Sequence, residues 1–123
     1  MRVLIVEPKK EPYVKEIQND LKSMQEVVGG YIEIIEIDKN IVIVDNEEGK
    51  CIPLDGNRRI GIDIIAGTFF VCGSDDNGNL LSLTDNEIEK YYERFKEPKN
   101  YTPEEVEDAF FIEIYNYEVD KEI

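Results

Sequence analysis

Arg2-Val3-Leu4-Ile5-Val6-Glu7-Pro8 is the stretch that decides the class of fold. Its apolar residues run without a polar break until proline ends them, the pattern of a strand inside a sheet. Outward from it, residues 13–18 read as a partner strand after the Lys9-Lys10-Glu11-Pro12 turn. Residues 31–37 and 41–45 read as an antiparallel pair joined at Asp38-Lys39-Asn40. Asn46-Glu47-Glu48-Gly49 turns the chain into a short strand at 50–52, and 53–59 reads as a connection. The most apolar stretch follows at 60–72, with its strand at 68–72. Residues 75–79 form a tight polar turn in which Asn77-Gly78 suits positive φ.

Three helix starts fit around these strands. Asn19 or Asp20 can cap a short helix that places Leu21, Met24 and Val28 on one face. Gly29 takes the left-handed position that stops it. Thr84 and Glu87 form a capping box, with Asp85 at the positive helix end and Pro98 closing the segment. Ile88, Tyr91, Tyr92 and Phe95 give that helix its apolar face. Thr102-Pro103-Glu104-Glu105 starts a third helix, through about residue 109, before strand-forming residues 111–119 supply an edge strand. The sum is α+β: one domain, mostly antiparallel sheet, with two or three helices packed on one face. Residues 1–97 form the core domain and 98–123 an acidic C-terminal extension packed on it.

Composition narrows the chemistry. The 123 residues include 28 acidic and 14 basic side chains, a net charge of −14. That balance argues against direct binding to nucleic acid or to an anionic membrane. No histidine is present, so Ser-His-Asp and Cys-His catalysis are excluded. Cys51 and Cys72 lie within strand-like segments and read as two small buried hydrophobes in a reducing compartment. The N-terminal segment is too short in apolar residues for a secretory signal, and no window approaches a membrane span, so a cytoplasmic location is expected. No cofactor is expected.

Most local motifs have plain explanations. Asp75-Asp76-Asn77-Gly78-Asn79 fits neither register of a calcium loop, because glycine and the acidic ligands never fall at the required positions together. Gly29-Gly30 leads from helix into strand, the reverse of a phosphate-binding turn. Asp63 and Glu113, flanked by apolar residues, are the carboxylates that sequence suggests for acid/base work, and strand alternation explains both.

Two features suggest binding. Asn57, Arg58 and Arg59 hold the one adjacent arginine pair, which could grip an anionic ligand or a partner carboxylate, with Asp63 nearby. The second feature is acidic. Asp85, Glu89, Glu93 and Glu97 recur every four residues beside the apolar face, and Glu104, Glu105, Glu107 and Asp108 add a cluster next in sequence. Like charges at that spacing disfavour a helix by roughly 0.2–0.5 kcal/mol per pair, which Lys90 and Arg94 on a neighbouring stripe partly offset. Residues 84–123 carry −8 of the net −14. Several such stripes together could imitate a short duplex to a DNA-binding protein.

Certain segments, taken in order, resemble a known family. They are Val3-Leu4-Ile5-Val6-Glu7-Pro8, Val28-Gly29-Gly30-Tyr31-Ile32-Glu33, Asn46-Glu47-Glu48-Gly49-Lys50, Asn57-Arg58-Arg59, Ile65-Ala66-Gly67-Thr68-Phe69-Phe70-Val71-Cys72-Gly73 and Leu83-Thr84-Asp85. Over residues 1 to about 97 the chain resembles the domain-of-unknown-function family 3846. The resemblance carries over no catalytic residues. It implies a setting of bacteria, their phages and their mobile elements. The expected function is therefore that of a non-enzymatic accessory protein binding a host protein through its acidic surface. A basic DNA-binding protein is the partner that mimicry would imply. The alternative is a small-ligand or peptide-binding module built on the Asn57-Arg58-Arg59 loop.

Overall fold

The computed structural model describes residues 1–49, 51–52 and 54–110. Eight strands are present among them: β1 Arg2–Val6, β2 Tyr13–Glu16, β3 Ile32–Asp38, β4 Ile41–Asn46, β5 Gly56–Ile60, β6 Asp63–Ala66, β7 Phe69–Ser74 and β8 Leu80–Leu81. Helix α1 spans Leu21–Val28 and α2 spans Asp85–Phe95. The helical residues 103–110 are the described part of α3.

The main sheet runs β2-β1-β7-β4-β3, with β8 paired to β7 and every neighbour antiparallel. Strand β1 lies inside it, between β2 and β7, as its apolar run predicts. Alternation then divides its residues between two cores. Val3 and Ile5 join Val42, Val44, Phe70 and Cys72 beneath Met24 and Val28 of α1. Leu4 and Val6 join Ile41, Ile43, Phe69 and Val71 beneath Tyr91 and Phe95 of α2.

The α+β class and the antiparallel sheet hold. The helices, expected on one face, are corrected to one on each. A sheet whose inner strands carry apolar residues on both faces needs cover on both sides, and one helix cannot supply it.

The second correction concerns residues 56–66. They form a separate two-stranded hairpin, β5–β6, where a connection was expected around Asn57-Arg58-Arg59. Gly61 at φ +62 opens its two-residue turn, and Ile60 pairs with Asp63 across it. One side of the hairpin gives Ile60 and Ile65 to the α2 core. The other gives Ile64 and Ala66 to a third cluster with Leu54, Tyr101, Val106 and Ala109. The order of layers is thus α1, main sheet, α2 with the hairpin, and α3 against the hairpin.

Local signals explain the element ends. Asp20 caps α1 by accepting from the Ser23 amide at 2.7 Å, and Gly29 ends it at φ +79. The 75–79 turn closes on Asp75, whose carboxylate accepts from the Asn77 and Asn79 amides, both at 2.9 Å. Residues 51–52 sit in a turn where a short strand was expected, so Cys51 is exposed while Cys72 is buried. Burial pushes the Cys72 thiol up to about 12. The edge strand expected at 111–119, and Glu113 with it, lie outside the described residues.

Candidate functional site

Helix α2 forms as its capping box requires. The Thr84 amide donates to Glu87 Oε1 at 2.8 Å, and the Glu87 amide donates to Thr84 Oγ1 at 3.2 Å. Tyr91 and Phe95 are buried, while Asp85, Glu89 and Glu93 are exposed along the other side. Glu97 is also exposed, but it lies beyond Phe95 and the C-cap residue Lys96. The helical stripe therefore has three carboxylates and two like-charge i,i+4 pairs.

Two of these acids have close cations. Asp85 meets Arg2 at 2.8 Å, and Glu93 meets Lys96 at 3.1 Å. The cations expected to offset the stripe turn elsewhere: Lys90 and Arg94 approach Asp38, at the end of β3, at 3.9 and 3.8 Å. Among the described residues, no cation pairs with Glu89 or Glu97.

Helix α3 repeats the logic. The Thr102 amide donates to Glu105 Oε1 and the Glu105 amide to Thr102 Oγ1, both at 3.1 Å. Glu105 is thereby used as a cap. Val106 and Ala109 face the hairpin, and Glu104, Glu107 and Asp108 are exposed with no ion pair among the described residues.

Asp38 collects a third group as well, the hydroxyl of buried Tyr91, which donates to its carboxylate. Burial first, then the Asp38 hydrogen bond and charge, hold the Tyr91 phenol well above its ordinary value. The raised folded-state value means this contribution is complete below the unfolded phenol value of about 10. It is lost as pH rises beyond that. We expect Tyr91→Phe to lose about 1 kcal/mol at neutral pH, the worth of one hydrogen bond. The difference between the two unfolding curves should then shrink as pH rises above about 10. A difference that stays constant from neutral pH to pH 11 or so would contradict the assignment.

The arginine segment is placed differently from its sequence reading. Asn57 and Arg58 are 0% and 3% exposed. The Asn57 amide nitrogen donates to Val6 O at 2.8 Å and Gly67 O at 2.9 Å, bolting the hairpin to β1. Arg58 Nε donates to Phe95 O at 3.0 Å, the C-terminal carbonyl of α2. Its Nη2 donates to Lys10 O at 2.7 Å, and its Nη1 to Asn57 Oδ1 at 2.8 Å and Asn57 O at 3.2 Å. Arg58 thus ties together the β1–β2 turn, the hairpin and the end of α2. Burial lowers its guanidinium from its ordinary value.

Arg59 is exposed, 6.0 Å from the Tyr101 ring centre, and Nη1 donates to Ile62 O at 3.4 Å. The Asp63 carboxylate accepts from the Ile64 amide at 2.8 Å. Sequence reading missed the neighbours of Arg58 and Arg59: a cleft of about 240 Å³ joins them to Arg94, Lys96, Lys99 and Tyr101. The crowding of Arg94, Lys96 and Lys99 at the end of α2 was the available signal.

Among the described residues, no group of three or more His, Cys, Asp or Glu could hold a metal ion. No helix among them is long and apolar enough to cross a membrane. No curated protein and no solved structure matches the chain. The family model for the domain of unknown function DUF3846 matches residues 1–96, which takes in the whole main sheet, the hairpin and both α1 and α2. On that match, with the strand and turn segments quoted above falling inside it, the chain belongs to the DUF3846 family.

Proposed function

We propose that this chain is a non-enzymatic accessory protein of a phage or mobile element that docks on a basic surface of a host protein through the carboxylates of α2 and α3. Mimicry of a short DNA duplex is the specific form of that reading. The observation that supports it is the uncompensated charge. Glu89, Glu104, Glu107 and Asp108 are exposed without an ion pair among the described residues, while Lys90 and Arg94 are turned to Asp38. A surface serving only solubility gains nothing from like charges stacked along one helix. A surface held for an external cation does, because the repulsion is relieved on binding. The mobile-element setting rests on the family resemblance alone.

The reading makes two linked predictions. In the isolated chain, Glu89→Lys turns two repulsive pairs, with Asp85 and Glu93, into attractive ones and should stabilise the fold by about 1 kcal/mol. Urea unfolding measures this, and a destabilised variant would mean that Glu89 is already engaged within the chain. For binding, Glu89, Glu104, Glu107 and Asp108 are changed together to lysine. A second variant changes Glu11, Glu26, Glu47 and Asp76, exposed residues outside α2 and α3, by the same total charge. The first should lose its partner and the second should keep it. Equal losses would reduce the effect to net charge.

A further inference from the structure

We infer that the cleft between the β5–β6 hairpin and the end of α2 is a binding site for a small phosphate-bearing ligand. Its lining holds five cations, Arg58, Arg59, Arg94, Lys96 and Lys99, and two carboxylates, Glu93 and Glu97. The lining thus carries an excess of three positive charges, or two once Asp38, 3.8 Å from Arg94, is counted, in a chain whose net charge is −14. The cations come from two distant parts of the sequence and are brought together by the hairpin packing beside α2.

The second observation is the state of Arg58. It is 3% exposed, yet among the described residues every acceptor it reaches is a neutral carbonyl oxygen. Among the described residues, no carboxylate lies within ion-pair distance of it. A buried guanidinium has five N–H donors and a full charge, and four of those donors are used here. Among the described residues, one donor on Nη2 is left over, and the charge faces only carbonyl dipoles, that of the α2 C-terminus included. Buried charges are ordinarily paired, and the pairing is worth most where water is excluded. An oxyanion entering the cleft would supply that pair. Arg59 and Lys99 are exposed at the same cleft, and Arg59 is held there only by a 3.4 Å bond to Ile62 O and the Tyr101 ring.

A phosphate monoester fits this setting better than a monocarboxylate, because a dianion matches the local excess of charge more closely. The Tyr101 ring, beside Arg59, offers an apolar surface to the organic part of such a ligand. A cleft of about 240 Å³ limits the ligand to a small molecule. Glu93 and Glu97 in the lining, and the net charge of −14, disfavour an extended polyanion.

The test uses the full chain and four probes at matched ionic strength: inorganic phosphate, phenyl phosphate, benzoate and chloride. Binding is followed by thermal shift and by calorimetric titration. Phosphate and phenyl phosphate should bind saturably, and phenyl phosphate more tightly if Tyr101 contributes. Arg59→Gln with Lys99→Gln, both exposed and outside the core, should weaken binding by at least about tenfold, as expected for lost charge-assisted hydrogen bonds. Its far-ultraviolet circular dichroism should be unchanged. Inorganic phosphate binding as tightly as phenyl phosphate would keep the anion site and remove Tyr101 from it. Benzoate binding as tightly as phenyl phosphate would overturn the assignment to phosphate. A response equal to that of chloride, or an undiminished one in the double variant, would overturn the site. These readouts are independent of any protein partner of the acidic surface.

Discussion

Arg58→Ala is expected to lower the stability of the chain by about 3–5 kcal/mol, among the largest effects of any single substitution. The change removes four hydrogen bonds at once. It strands the buried Phe95 carbonyl, and a buried unsatisfied acceptor costs about 1–3 kcal/mol. The bond to the Lys10 carbonyl at the partly exposed turn is lost with it. It also releases the negative end of the α2 dipole from the cation that faces it. Lysine should recover little, since a single ammonium cannot reproduce the fork that reaches three chain segments. Arg59→Ala, at the exposed neighbour, should change stability by no more than about 0.5 kcal/mol. Urea unfolding of the three variants separates the cases. Equal effects at 58 and 59 would remove the clamp from the account.

Phe69→Ala should cost about 3–5 kcal/mol, the usual range for emptying a buried aromatic site. Phe69 is fully buried in β7, opposite Val6, and meets Phe95 edge-on with ring centres 5.4 Å apart. Its neighbour Phe70 is equally buried but belongs to the α1 core. The pair therefore reports on the two-faced sheet. Amide chemical shifts should move at Tyr91 and Phe95 for Phe69→Ala, and at Met24 and Val28 for Phe70→Ala. Shifts at the same helix in both variants would contradict helices on opposite faces.

Legibility in the sequence followed the range of the interactions. Strand β1 could be read because an unbroken apolar run is a local pattern, and the α2 start because a capping box spans only four residues. The hairpin was hidden. Asn57-Arg58-Arg59 is polar and resembles a connection. What holds Asn57 and Arg58 in the interior comes from Val6, Lys10, Gly67 and Phe95, most of them tens of residues away. Its one local trace was glycine at the first position of the two-residue turn Gly61-Ile62, flanked by strand formers. The division of the helices between two faces was equally silent, because β1 is apolar on both sides and names no partner for either.

The acidic residues were easy to find and their exposure easy to expect. Their compensation was not. Lys90 and Arg94 look like local counter-charges in sequence, and the hairpin of β3 and β4 brings Asp38 to them instead. The cleft was half hidden for the converse reason: Arg94, Lys96 and Lys99 crowd together in sequence, but Arg58 and Arg59 share no neighbourhood with them.

The central claim is that the exposed carboxylates of α2 and α3 meet a basic protein surface. The most direct measurement captures partners of the tagged full chain from host lysate, elutes them in rising salt and repeats the capture with duplex DNA in excess. The account predicts a basic DNA-binding protein that elutes at moderate salt, is displaced by the duplex and is lost from the chain carrying lysine at 89, 104, 107 and 108. A partner retained by that variant, or no partner released by salt at all, would contradict it.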